Sequence, residues 1–169
     1  MGMVVVTEEL SRGSLGAAGS LITRPEIMAR ALLDGGTDAQ KERWLPKLAS
    51  GETLCAISVT EPNTGSDVAS VSLKATRTDG GWLLNGVKTW CTFAARADVL
   101  MVLARTDPDM GSGHRGLTHF MVEKPVATGR DFVFQLGEGH LAGRAIPTLG
   151  YRGMHSFALA LENVFVPDS

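Results

Sequence analysis

Residues 54–67 read LCAISVTEPNTGSD. Leu54 to Val59 is an apolar run of strand length. The eight residues after it crowd a Thr, two carboxylates, a Pro, a Gly and a Ser into one turn. Thr60 stands where the strand ends and can present both a hydroxyl and an amide there. Pro62 fixes the turn, Gly65 permits close backbone approach, and Ser66 adds a second small donor and acceptor. Such a loop suits a flat polar ligand or a pyrophosphate. An ordinary capped turn has the same composition, and from spacing alone it is the commoner outcome.

On the N-terminal side of this stretch the texture is helical and rich in Ala and Leu. Glu8 to Arg12 and Pro25 to Leu33 read as helices, the second with Pro25 in a favoured first-turn position. Gly35-Gly36 stops that helix. Thr37-Asp38-Ala39-Gln40 then has the form of a capping box, with a Thr cap and Gln three residues later. The helix it starts carries Lys41, Arg43, Trp44 and Leu45, and Pro46 is expected to break or kink it. Ser50-Gly51 ends the region. Residues 1–50 thus form a helical segment too short for a core of its own, and 51–169 a second unit.

On the C-terminal side the pattern is of strands. Leu73 to Arg77 and Trp82 to Asn85 flank Asp79-Gly80-Gly81, a hairpin signal. Asn85-Gly86 is a second turn signal before Val87 to Phe93. Val99 to Ala104 is continuously apolar, as expected of a strand buried on both faces. Leu117 to Glu123, Phe132 to Leu136 and Phe157 to Val166 complete the set, the last with Glu162-Asn163 interrupting its alternation. Many short strands with Gly-rich turns predict an antiparallel β-barrel or sandwich. The fold class is therefore α+β, a short helical segment followed by that β domain. The loop 107–116, DPDMGSGHRG, is polar and placed to touch something.

Composition narrows the function. The chain has 169 residues, 44% hydrophobic and 20% charged, which is enough apolar material for a real core. A net charge of −2 gives no reason to expect nucleic acid or an anionic membrane as partner. No apolar run approaches membrane-spanning length. Cys55 and Cys91 both sit in apolar runs, so buried thiols in a soluble, cytoplasmic protein are the expectation rather than a disulfide framework or a zinc site. Gly137-Glu138-Gly139-His140-Leu141-Ala142 superficially resembles a dinucleotide fingerprint but lacks the following helix. His114, His119, His140 and His155 are scattered without ligand spacing, so no metal is expected.

Lys88-Thr89-Trp90-Cys91-Thr92 is the second stretch with chemical content. Trp90 and Thr92 are two apart, so on a strand both project from one face, an indole plane beside a hydroxyl. That describes a flavin wall. A core Trp beside a β-favouring Thr would read the same way.

Together these motifs resemble the acyl-CoA dehydrogenase family. LCAISVTEPNTGSD is similar to the signature of that family's middle domain. GVKTWCTFAARAD is similar to its second signature, written around Trp-Ile-Thr, with Cys91 here in place of Ile. GTDAQKERWLPKLASGE resembles the end of the N-terminal helical domain, and GYRGMHSFALALENVFVP the last barrel strands. The four occur in the family's order and span most of the chain from Glu8 onward.

The resemblance implies FAD as cofactor, lying against the β domain, with Ile57, Val59, Thr60, Gly65, Ser66, Trp90, Cys91 and Thr92 lining it. The Val59 and Thr60 amides and the Thr60 hydroxyl would meet the flavin ring edge, and Trp90 and Thr92 would border the ring. Ser66 would also lie near the acyl-CoA substrate, and Arg115 and His114 could reach CoA phosphates. The implied reaction is α,β-dehydrogenation of an acyl-CoA thioester, with an electron-transfer flavoprotein as electron acceptor and a homo-oligomer as the full-length form. The family continues past Val-Pro-Asp with a helical domain that usually supplies the catalytic Glu. This sequence stops at Ser169, and Glu61, Glu123, Glu138 and Glu162 match no catalytic position. The expectation is a fragment, inactive alone and without a catalytic residue of its own. A flavin monooxygenase or nitroalkane-oxidase-like relative on the same fold, and a non-catalytic β module, remain the competing readings.

Overall fold

The computed structural model describes residues 2–21, 26–150 and 154–168. Pro25 and residues 151–153 of the GYRGMHSFALALENVFVP motif lie outside the described residues. Four helices lead the chain: α1 Gly2–Gly13, α2 Leu15–Leu21, α3 Ile27–Gly35 and α4 Asp38–Ser50. Eight strands follow: β1 Cys55–Ser58, β2 Lys74–Thr78, β3 Gly81–Thr92, β4 Val99–Arg105, β5 Leu117–Glu123, β6 Asp131–Leu136, β7 Gly139–Ala145 and β8 Ser156–Pro167.

α4 begins as its sequence predicts. Thr37 Oγ1 accepts from the Gln40 amide at 3.2 Å, and Gln40 Oε1 accepts from the Thr37 amide at 3.0 Å. It ends at Gly51, whose φ of 76° places it in the left-handed region that glycine enters without strain. Pro46 does not end the helix, which runs through it to Ser50. Packing explains the persistence: Trp44 and Leu48, one turn apart on either side of Pro46, are buried with Met28 and Leu32 of α3 against Cys55, Val99 and Met101.

The helices therefore cover one face of β1 and β4. The other face of the same strands turns inward, where Ala56, Leu100, Val102 and Ala104 join Leu84, Cys91, Phe157, Leu159, Leu161 and Val164 in the principal core. All seven residues of β4 are buried, as its unbroken apolar run predicts. The strand order is β1-β4-β2-β3-β8-β7-β6, with β5 paired to β4. This curled sheet is a half-barrel of the expected α+β class. It is mixed rather than wholly antiparallel: β1 and β4 run parallel, Cys55 opposite Val99, and β2 meets β4 in parallel at Lys74 and Arg105. Apolar patterning carries no strand direction, so the sequence cannot show it.

Two sequence breaks turn out to be bulges. Asn85-Gly86 is not a turn; β3 passes through it, and the register with β8 shifts between Leu84 and Gly86. The Asn85 side chain bonds Asn163 twice, accepting from its amide at 2.9 Å and donating to its Oδ1 at 3.1 Å. Asn163, at φ 50°, is the residue that interrupts the β8 alternation. Residues 137–142 form the turn between β6 and β7 and the start of β7, a strand without a cofactor fingerprint.

Candidate functional site

β1 delivers the chain to the 60–67 turn, and the turn is rooted by a buried charge. Glu61 is 6% exposed and accepts four hydrogen bonds: from the Ser72 amide at 2.9 Å, the Ser72 hydroxyl at 2.7 Å, the Leu73 amide at 2.8 Å and Lys88 Nζ at 2.9 Å. Lys88 is 1% exposed and also donates to Val59 O at 2.9 Å. Burial pushes the Glu61 carboxyl up, but the bonds from Ser72, Lys88 and Leu73 outweigh it and hold the carboxyl below its ordinary range. Burial pulls the Lys88 ammonium down, with Glu61 opposing. The Thr89 amide donates to Thr60 O at 2.8 Å, so the end of β1 and the middle of β3 are joined by side chain and by main chain.

Immediately beyond this joint the β3 backbone turns left-handed. Trp90 has φ 57° and Phe93 φ 71°, and the β3–β8 register shifts between Lys88 and Cys91. A bulky residue at positive φ is an outlier that persists only where its surroundings fix it. Here the result is an indole 55% exposed. Thr92, half-buried, shares a hydrogen bond of 3.0 Å with the Ser156 hydroxyl. Val59 and Thr60 are half-buried beside them. The bonds from Lys88 to Val59 O and from the Thr89 amide to Thr60 O thus hold Val59 and Thr60 next to the Trp90–Thr92 stretch, and the two segments together are called the shelf.

Two of the candidates turn their side chains elsewhere. Ile57 packs on the helix-facing cluster. Cys91 is fully buried in the principal core beside Ser58, and burial pushes its thiol up to about 12. Strand alternation decides Cys91, whose neighbours Trp90 and Thr92 face the other way, while Ile57 alternates with Ala56 and Ser58, which face the principal core.

Gly65 and Ser66 are exposed on the outer limb of the turn, which continues into a short helical turn, Val68–Ser70. The loop 107–116, with His114 and Arg115 both exposed, folds into helical turns of its own. Arg105, which no motif in the sequence singles out, joins the two. It is 5% exposed and donates to Val71 O at 2.8 Å, Ala69 O at 2.5 Å and Gly113 O at 3.4 Å. A cationic residue ending an otherwise apolar strand is the only signal for it.

The comparisons with known proteins identify this architecture. Residues 1–52 match the model of the acyl-CoA dehydrogenase N-terminal domain, and residues 56–164 that of the acyl-CoA dehydrogenase middle domain. The chain belongs to the acyl-CoA dehydrogenase family. It is 49% identical over 160 residues to the (2S)-methylsuccinyl-CoA dehydrogenase of Cereibacter sphaeroides, covering 95% of this chain and 28% of that protein. It is 40% identical over 164 residues to the mitochondrial isovaleryl-CoA dehydrogenase of Arabidopsis thaliana, covering 97% of this chain and 37% of that one. Among solved structures, a glutaryl-coenzyme A dehydrogenase in complex with glutaryl-CoA superposes with a TM-score of 0.81 at 36% identity, covering 97% of this chain and 38% of that one. The FAD complex of PigA superposes with a TM-score of 0.80 at 28% identity, covering 99% and 41%. The chain therefore spans well under half the length of these relatives.

Within this member of the acyl-CoA dehydrogenase family the carboxylates are accounted for structurally. Glu61 is the internal root described above. Glu123 pairs with Arg43 of α4 at 2.5 Å, and Glu138 and Glu162 are exposed. A groove of about 460 Å³ lies away from the shelf, between α3–α4 and β5, and is lined by Met28, Trp44, Trp82, His119 and Phe165. Trp82 and Phe165 mark the end of the β3–β8 pair opposite Trp90. Among the described residues no cluster of His, Cys, Asp and Glu could hold a metal, and no helix is long and apolar enough to cross a membrane.

Proposed function

We propose that this chain, through helical segment 1–50 and β domain 51–169, supplies the flavin-facing part of an FAD-dependent acyl-CoA dehydrogenase. The observation that carries this reading is Trp90, exposed on left-handed backbone and flanked by Thr60 and Thr92. The donor set suits a flavin. It is an aromatic plane bordered by two neutral hydroxyls, and the charges beneath it, Glu61 and Lys88, satisfy each other in the interior. Bound FAD would supply the redox chemistry of α,β-dehydrogenation of an acyl-CoA thioester. Thr60, with the Val59 and Thr60 amides, would hold the ring edge, and Trp90 and Thr92 would border the ring and exclude water. Ser66 would lie where the cofactor phosphates and the acyl-CoA approach, Gly65 leaving that approach free of a side chain, and Arg115 with His114 would reach CoA phosphates. None of Glu61, Glu123, Glu138 and Glu162 is assigned the role of catalytic base, and the electrons would pass to an electron-transfer flavoprotein from a homo-oligomeric full-length protein.

Titration of the purified chain with FAD, followed by flavin fluorescence, tests this. The 169 residues are expected to bind FAD weakly, and Trp90→Ala and Thr60→Ala each to weaken binding by about tenfold, roughly 1.4 kcal/mol. No binding, or identical binding by both variants, overturns the reading.

A further inference from the structure

Lys124 has no part in the site as described, yet it is one of the costliest residues in the fold. It stands just beyond β5, 8% exposed, and among the described residues it has no carboxylate within ion-pair distance. All three of its donor positions are taken by main-chain oxygens: Ala95 O at 3.0 Å, Ala97 O at 2.5 Å and Pro125 O at 2.9 Å. The rings of Phe132 and Phe134 lie 5.5 and 5.4 Å from its ammonium. A methionine would fill the same space without the cost of burying a charge.

What the ammonium holds explains why it is there. Ala95 and Ala97 belong to the turn that begins at Phe93, whose carbonyl accepts from the amides of Arg96 and Ala97. Phe93 is left-handed, three residues after left-handed Trp90, and its amide is tied to His155 O at 2.8 Å. Lys88 anchors the segment on its other side. The stretch 89–93 therefore hangs between two buried lysines.

We propose that Lys124 is a positioning residue for the shelf: by gathering the Ala95, Ala97 and Pro125 carbonyls it fixes the Phe93–Ala97 turn, and so keeps Trp90 exposed and Thr92 beside Ser156. Its relevance to flavin rests on the function proposed above; its effect on the turn does not.

Amide hydrogen exchange on the intact chain tests it, with the β7 amides as internal control. In Lys124→Met, exchange at residues 93–97 is expected to rise at least tenfold while β7 stays protected, and FAD affinity to fall at least fivefold. Unchanged exchange at 93–97 in a folded variant overturns the proposal. A second arm removes the charge without substitution. Burial pushes Lys124 down to about 8, against the opposing pull of the Asp98 carboxylate. Cys91 stays a thiol well above that. Because the folded-state pKa lies below the ordinary 10.5, the closed turn gives up the proton before an opened one does, so between about pH 7 and about pH 9.5 the wild-type turn is expected to gain protection, after correction for intrinsic exchange. A flat or falling profile at 93–97, or a change confined to residues 59–61 at Lys88, overturns the proposal even if Lys124→Met does not fold. If the wild type fails to bind FAD, the functional reading falls, and the exchange result still decides the role of Lys124.

Discussion

The 60–67 turn and the 107–116 loop look alike in sequence: both are polar, both contain Pro, Gly, Ser and Asp, and both follow an apolar strand. Their supports differ. The turn is held from inside, by a carboxylate that has left the surface to collect four hydrogen bonds across three segments. The loop is held mainly by itself. Asp107 accepts from the Asp109 amide at 2.9 Å and the Ser112 hydroxyl at 2.5 Å, and Asp109 accepts from the Gly111 amide at 2.8 Å. An interior root fixes a loop relative to the rest of the fold, whereas self-capping fixes only its own shape. The turn is thus the one built to hold a ligand against a second element at a set distance.

The largest test of that contrast is Lys88→Met. It leaves Glu61 buried without its cation and should cost about 3–5 kcal/mol in urea unfolding. The same pair gives an acid limb. Because the folded-state pKa of Glu61 lies below its ordinary 4.5, its contribution is complete above that pH and is lost as pH falls through the folded value. Glu61→Gln should flatten that limb. A loss from Lys88→Met no larger than that of a surface substitution would erase the distinction between the two loops.

The parts of this arrangement legible in the sequence were those with a local period or a local motif. The Thr37–Gln40 box, the Gly51 stop and the doubly buried β4 are all written within a few adjacent residues, and the structure has each of them. Four ordered motifs placed the fold class and the family. What could not be read was long-range. Glu61 seemed part of a turn because its partners, Ser72 and Lys88, lie 11 and 27 residues away. Arg105 and Lys124 drew no reading from the sequence because their acceptors are main-chain carbonyls, which no side-chain pattern announces. Ile57 and Cys91 seemed part of the shelf because a motif names neighbours together, while packing takes Ile57 to the helix-facing cluster and alternation with Trp90 and Thr92 takes Cys91 into the principal core. Pro46 showed the reverse error, a local rule overridden by the burial of Trp44 and Leu48.

A smaller effect is expected behind the turn, at Gly86. Its φ is 145°, and a Cβ there would stand 2.9 Å from Leu73 Cγ and 3.0 Å from Leu73 Cα. The Leu73 amide is one of the donors to Glu61, so Gly86→Ala presses on the interior root as well as straining its own backbone. About 1–3 kcal/mol should be lost, with faster amide exchange at Ser72 and Leu73. If stability falls while those two amides keep their protection, the strain is local to the bulge, and the root tolerates displacement better than its four hydrogen bonds suggest.

The smallest effect should come from the self-capped loop. Asp109→Ala removes the acceptor of the Gly111 amide, on an exposed residue with water ready to replace it. The expected change in unfolding free energy is about 0.5 kcal/mol or less, because surface substitutions outside buried networks seldom exceed that. Exchange should quicken at Gly111 and Ser112 but not at Ala69 or Val71, although Arg105 connects the two loops. That connection runs through Gly113 O at 3.4 Å, a longer bond than those from Arg105 to Val71 O and Ala69 O, at 2.8 and 2.5 Å. Arg105 therefore belongs energetically to the turn and only touches the loop. Quickened exchange at Ala69 and Val71 in Asp109→Ala would show instead that the two loops move as one body, and that the stiffness of the turn is shared with its neighbour.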